Sequence, residues 1–73
     1  MNFRDERLLK GFGRHLQKIR KSKGITQEEL AYRSNLSLSQ IARIETGVIN
    51  PTLCTMAVIA KNLGIGLKEL LDF

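Results

Sequence analysis

Arg43 lies in a short segment of apolar and small residues, where an arginine side chain could bind another molecule. In the segment 37–45, Ile41 and Ile44 lie on one side of a helical wheel, so Arg43 points to the other side among small residues. An outward arginine on a helix in a DNA major groove can bond bidentately to guanine O6 and N7, and Leu38 can contact a thymine methyl. Base recognition is one interpretation of this pattern. The alternative is that Arg43 is an ordinary solvated residue and Leu38 a peripheral core residue, and the wheel alone favours it because exposed arginines are common. Only a helix-turn-helix context makes base recognition the better interpretation.

Residues suited to covalent or metal chemistry are few. His15 is the single histidine and Cys54 the single cysteine, so an internal disulfide and a zinc cluster are excluded. No nucleophile, base and orienting group assemble, and we expect no enzymatic activity, no cofactor, no metal and no small-molecule ligand. We expect His15 to be solvated or close to a phosphate. Cys54 is interpreted as a small packing residue in a first helical turn, with redox sensing as the alternative.

Two helix starts with the same capping pattern position the arginine. The segments TQEE at 26–29 and SLSQ at 37–40 both have a hydroxyl residue followed three positions later by glutamate or glutamine. In this arrangement the hydroxyl oxygen accepts a backbone N–H, and the later side chain reaches back to the cap. Ser34-Asn35 ends the first helix and Glu45-Thr46-Gly47 the second. The spacing predicts a helix-turn-helix over about 26–46.

Three further helices are predicted around this pair. Helix one runs from about Asp5 to Ser22 and ends at Gly24, with apolar residues at Leu8, Leu9, Phe12, Leu16 and Ile19. Because Gly11 and Gly13 each weaken a helix by roughly 1 kcal/mol, its first turns are expected to fray or to be held by a partner. Thr52 caps helix four, whose inner stripe is predicted to be Leu53, Met56, Ala57, Ile59, Ala60 and Leu63. A last short helix, 67–71, begins after Gly66, a weak cap.

Length and charge limit the function further. Seventy-three residues predict one domain, 1–73, and no apolar run approaches the roughly 18 residues of a membrane span. Residues 1–24 carry eight bases and two acids, which suits an anionic partner, although solvated basic faces also arise. The N-terminus lacks an apolar signal core, so we expect a reducing cytoplasm.

With these elements in place, the chain resembles the Cro and phage-repressor (XRE) family of helix-turn-helix regulators. The resemblance runs from about Ile19 to Leu71 and rests on IRKSKGITQEELA, the turn SNLS, IARIETG, NPT and NLGIGLKELL. The string LAYRSNLS is also similar to controller proteins of restriction–modification systems. The resemblance implies an all-α, five-helix, lambda-repressor-like domain that binds double-stranded DNA in the cytoplasm, associated with the nucleoid.

The resemblance also implies residue roles. Helix three, about 37–45, would be the recognition helix of a homodimer on a pseudo-palindromic operator. Residues expected to face the groove are Ser37, Leu38, Ser39 and Arg43, while Gln40 reaches a base edge or a phosphate. Gln27, Thr46 and Asn50 are expected at phosphates, and the loop after helix three is expected to contribute backbone N–H groups. The alternatives are that Gln27 is merely a good first-turn residue and that Asn50 only shapes the turn before Pro51.

Two structural roles complete these expectations. The resemblance pairs Arg20 with Glu45 in a salt bridge between helices one and three, which supplies the partner that a carboxylate near the core requires. The apolar C-terminus is expected to form the dimer interface, through Leu67, Leu70, Leu71 and Phe73, with Ile65 and Val58 as further contacts. The alternative is that these residues belong to a monomer's core. A second function class is a protein-interaction module, such as an antitoxin or adaptor, with the same fold.

Overall fold

The computed structural model describes residues 4–73, and these residues fold into helices without a strand. The elements in chain order are α1 (Glu6–Ser22), α2 (Gln27–Ser34), α3 (Leu38–Glu45), α4 (Leu53–Leu63) and α5 (Leu67–Leu70). Each lies within a residue of its predicted bounds, which confirms the predicted all-α class. None of the helices in this part of the chain is long and apolar enough to cross a membrane.

Local sequence determines where α2 and α3 begin. The Thr26 hydroxyl accepts the Glu29 N–H and the Glu29 carboxylate accepts the Thr26 N–H, at 3.0 and 3.2 Å. Ser37 and Gln40 form the same reciprocal pair at 3.0 and 2.9 Å. The bond from the Thr26 backbone, followed by the one with its hydroxyl, lowers the pKa of Glu29 below its ordinary value. Both predicted capping boxes are confirmed.

The core is a small apolar cluster between α1 and the other four helices. Its fully buried large side chains are Leu16, Leu30, Ile41, Ile44, Ile59 and Leu70. Leu16 comes from α1, and the rest are spread over α2, α3, α4 and α5. Every helix therefore contributes at least one side chain to the same cluster, and the helix-turn-helix pair is held from behind by α1 and α4.

Gly13 has a role that the sequence prediction missed. A Cβ at this position would lie 2.3 Å from the Glu45 carbonyl oxygen and 2.6 Å from that of Ile44. The backbone of α1 thus lies directly against the end of α3, at a distance that only glycine permits. The expected weakening of the first turns is offset by this contact, and α1 is continuous from Glu6.

Three predictions on α4 are corrected. Leu53 is 62% exposed and Ala57 is also exposed, because the buried line of the helix runs through Met56, Ile59, Ala60 and Leu63 and leaves both residues to one side. The interpretation of Cys54 as a small packing residue is wrong as well, since this cysteine is exposed and free. An apolar strip consequently remains on the outer side of α4.

Long-range contacts also change the interpretation of two predicted residues. Leu70 was assigned to the dimer interface, but it is 0% exposed and fills the core of its own chain. His15 is not a solvated residue of a basic face. It is half-buried, its Nε2–H donates to the Glu69 carbonyl oxygen at 3.1 Å, and its ring lies 5.7 Å from that of Phe73. The end of the chain is thereby packed onto α1.

Candidate nucleic-acid interface

The outward face of α3 is open. Leu38 is 45% exposed, and Ser39 and Arg43 are exposed as well, whereas Ile41 and Ile44 point into the core. Within residues 4–73 no hydrogen bond or ion pair holds the Arg43 side chain, so its guanidinium is available to a ligand. A convex helix with one cation, small neighbours and a leucine at its edge has the shape and chemistry to enter a major groove.

The side chains of Ser37 and Gln40 both cap the N-terminus of α3. Each uses an oxygen in the reciprocal cap, and both remain exposed. Because the amide oxygen of Gln40 accepts the Ser37 N–H, its NH₂ group is the part left to donate outward. The NH₂ group of Gln40 can therefore donate to a DNA acceptor, such as a phosphate oxygen or a base N7.

A buried polar network joins α1, α2 and α3 beneath this face. Arg20 donates to both carboxylate oxygens of Glu45, at 2.6 and 3.0 Å, and to the Ile25 carbonyl oxygen at 2.8 Å. The two side chains are only 7% and 1% exposed. Gln27 donates its amide N–H to the same carboxylate at 2.9 Å. Gln27 thus fixes the start of α2 to the end of α3, a contact that sequence reasoning did not anticipate.

A shallow hollow adjoins this network. Its lining residues come from α1, the start of α2 and the start of α3: Gln17, Arg20, Thr26, Gln27, Glu28 and Leu38. Gln17, one turn before Arg20 on α1, lines this hollow and was not among the predicted site residues. Glu28 places one carboxylate at the rim, where it repels a phosphate.

The loop after α3 differs from the expectation. Its backbone N–H groups point inward: those of Thr46 and Gly47 donate to carbonyl oxygens of α3, and those of Val48 and Ile49 donate to the Arg43 carbonyl oxygen at 2.9 and 3.3 Å. The Thr46 hydroxyl donates to carbonyls of α3 too. The four N–H groups are therefore not available to a phosphate, which corrects that part of the prediction. Asn50, whose side chain is exposed, is the remaining phosphate candidate of the loop.

The exposed surface carries both bases and large apolar side chains. The exposed bases of α1 are Arg7, Lys10, Arg14, Lys18 and Lys21. The exposed large apolar side chains near the chain end and on α4 are Leu53, Val58, Leu71 and Phe73, at 62, 40, 41 and 52%. Leu67 is half-buried against the core. Among the described residues no group of histidine, cysteine or acidic side chains could hold a metal ion.

Comparisons with known proteins agree with this geometry. The helix-turn-helix family HTH_3 matches residues 16–70. Control protein C.BamHI of Bacillus amyloliquefaciens is 41% identical over 63 residues, 85% of this chain and 78% of that protein. The uncharacterized HTH-type transcriptional regulator y4dJ of Sinorhizobium fredii is 38% identical over 58 residues, 80% of this chain and 75% of that protein. The crystal structure of the restriction-modification controller protein C.AhdI from Aeromonas hydrophila aligns with a TM-score of 0.82 and 38% identity, covering 88% of this chain and 96% of that one. The predicted fold and the predicted likeness to controller proteins are confirmed.

Proposed function

The chain belongs to the HTH_3 helix-turn-helix family and is a DNA-binding transcriptional regulator, and from that premise we propose that it acts as a homodimer whose two copies of α3 read a two-fold operator. The observation that carries this proposal is the outward face of α3, which is exposed, free of acids and centred on Arg43. In the dimer the two recognition helices enter successive major grooves about 34 Å apart.

The proposed contacts divide by chemistry. Arg43 bonds to guanine, Leu38 contacts a thymine methyl, and Ser39 lies against the groove wall. Gln27, Gln40 and Asn50 contact phosphates, with Gln40 donating through its NH₂ group. Because few side chains on this face form directional hydrogen bonds, sequence-dependent DNA shape contributes much of the preference.

Selection of bound sequences from random duplex DNA at physiological salt tests the proposal. We expect a two-fold symmetric motif, and Arg43→Ala should lose about 1–3 kcal/mol of discrimination at one base pair per half-site. Arg33→Ala, which removes an exposed arginine from α2, is the matched control and should keep the motif. Binding without any motif would leave only electrostatic attraction and would favour a protein-interaction module instead.

The proposed dimer interface uses four exposed apolar side chains, Leu53 and Val58 of α4 together with Leu71 and Phe73 near the chain end. This revises the sequence prediction, because Leu70 is internal and Leu67 is half-buried. Sedimentation equilibrium of Leu71→Asp should give a monomer at concentrations where the unmodified chain is a dimer. Tyr32→Asp, at a residue 88% exposed on α2, should leave the dimer intact. A monomeric unmodified chain at high micromolar concentration would refute the interface.

The names of two similar proteins also support a proposal about how this chain regulates transcription. C.BamHI is by name a control protein and C.AhdI a restriction-modification controller protein, and we propose that this chain likewise represses or autoregulates a gene beside its operator. A regulator of this kind acts where the bacterial DNA is, in the cytoplasm on the nucleoid. A reporter gene placed behind the selected motif gives the sign of regulation, and an unchanged reporter would contradict it.

A further inference from the structure

Arg4, just before α1, binds the loop that follows α3. Its guanidinium donates to the carbonyl oxygens of Gly47 and Val48, at 3.1 and 2.6 Å, across 43 and 44 positions of sequence. The same guanidinium is paired with the carboxylate of Glu6, in the first turn of α1. The Arg4 side chain is 32% exposed, so the contact is partly shielded from water. A charged donor to a carbonyl oxygen makes a stronger bond than a neutral one.

The N–H groups of the same two peptide units point toward α3. The peptide that carries the Gly47 carbonyl also carries the Val48 N–H, and the peptide that carries the Val48 carbonyl also carries the Ile49 N–H. Both N–H groups donate to the Arg43 carbonyl oxygen. Two successive peptide groups therefore each connect Arg4 to Arg43. Polarisation along such a chain strengthens both of its bonds.

Close packing leaves this loop little freedom. Gly47 is buried with φ +79°, and a Cβ there would lie 2.8 to 3.0 Å from Cγ, N and Cα of Lys10. The backbone of the loop at Gly47 thus lies directly against the second turn of α1. A cation at the C-terminal end of α3 also has a favourable interaction with the helix dipole.

We infer that Arg4 is a positioning residue for DNA reading, which fixes the backbone of Arg43 through the peptide groups of residues 47–49. This inference rests on the proposed function. In this role Arg4 acts through the loop backbone and not on a base, because its guanidinium is engaged by Glu6 and the two loop carbonyls. Its effect on DNA reading passes through the end of α3.

The first test needs no DNA. Amide hydrogen exchange is measured by NMR for Arg4→Gln and for Arg7→Gln, which removes the same charge from an exposed neighbour on α1. The Val48 and Ile49 amides should exchange about fivefold faster or more in Arg4→Gln than in Arg7→Gln, with the amides of α2 unchanged in both. Equal rates at Val48 and Ile49 in the two variants would overturn the inference.

The second test measures base discrimination on the selected operator. The base pair read by Arg43 is the one whose preference Arg43→Ala abolishes. Preference at that base pair should fall about threefold or more in Arg4→Gln relative to Arg7→Gln, while the salt slope of binding is the same in both. Arg4→Lys, which keeps a charged donor, should recover part of the preference.

The outcomes separate the two hypotheses. If the unmodified chain selects no motif, the proposed function fails, and the exchange experiment still decides whether Arg4 fixes the loop. If the motif exists but Arg4→Gln and Arg7→Gln read it equally well, the proposed function stands and the positioning role is refuted.

Discussion

Replacing Glu45 by glutamine tests whether the buried network holds the three helices together. The substitution keeps the size of the side chain but removes the charge that faces Arg20. Glu45 accepts three hydrogen bonds, two from Arg20 and one from Gln27. Glutamine has one accepting oxygen, and its NH₂ group would face donors. The Arg20 side chain, 7% exposed, then loses its carboxylate partner and keeps as acceptors the Ile25 carbonyl oxygen and the single amide oxygen of the new glutamine.

The expected cost is large for so small a chain. Breaking a buried ion pair by removing one partner costs about 3–5 kcal/mol, and the retained Ile25 contact favours the lower end, about 3 kcal/mol. At about 0.05–0.15 kcal/mol per residue, the whole chain is stabilised by roughly 4 to 11 kcal/mol. For a domain of this size about 3 kcal/mol lowers Tm by roughly 12 to 24 °C.

Urea unfolding followed by circular dichroism at low temperature measures this change. Glu69→Gln, the same chemical change at an exposed residue of α5, is the control and should stay within about 0.5 kcal/mol of the unmodified chain. The double variant Arg20→Met/Glu45→Leu should recover much of the loss, because it leaves no unpaired charge. A loss below about 1 kcal/mol for Glu45→Gln would refute the reasoning.

Two further predictions concern local packing and pH. Gly13→Ala should lower the free energy of unfolding by at least about 2 kcal/mol, because the new Cβ meets the Glu45 carbonyl oxygen. Gly66→Ala is the control: its Cβ enters open space, and the free energy of unfolding should change by less than about 1 kcal/mol. Similar urea midpoints for the two variants would contradict this prediction. The lowered pKa of Glu29 means that its contribution to stability is present above its ordinary value of 4.5 and is lost as the pH falls through the lower folded value. Glu29→Gln should therefore weaken the acid dependence of the urea midpoint below pH 4.5, and an unchanged dependence would count against the capping bond with Thr26.

Local patterns determined what the sequence could predict. The capping boxes of α2 and α3 involve residues three positions apart, so composition and spacing suffice to find them. Helical periodicity likewise placed Ile41 and Ile44 inside and Arg43 outside. The exposed side of α4 was harder to predict, because Leu53 and Ala57 are apolar and only the packing of neighbouring helices decides which apolar residues are covered.

Contacts between residues far apart in the sequence were mostly not predicted, and the exception, the Arg20–Glu45 salt bridge, came from the family resemblance. The bond from His15 to the Glu69 carbonyl spans 54 positions, and the bonds from Arg4 to the loop span 43 and 44. Nothing in the neighbourhood of these residues indicates such partners. Gly13 is a similar case: its helix propensity predicted weakness, whereas the tertiary approach of α3 makes glycine the residue that fits.

In α3 the residues that stabilise the fold differ from the residues proposed to contact DNA, and this separation affects how DNA specificity can evolve. Ile41, Ile44 and Glu45 hold the helix in the fold, while Leu38, Ser39 and Arg43 are exposed and support little of it. Substitutions at the exposed positions therefore carry little folding penalty. A lineage, or a combinatorial library, can exchange one target sequence for another through these positions while the scaffold stays intact. New DNA specificities can therefore arise with little loss of folding stability.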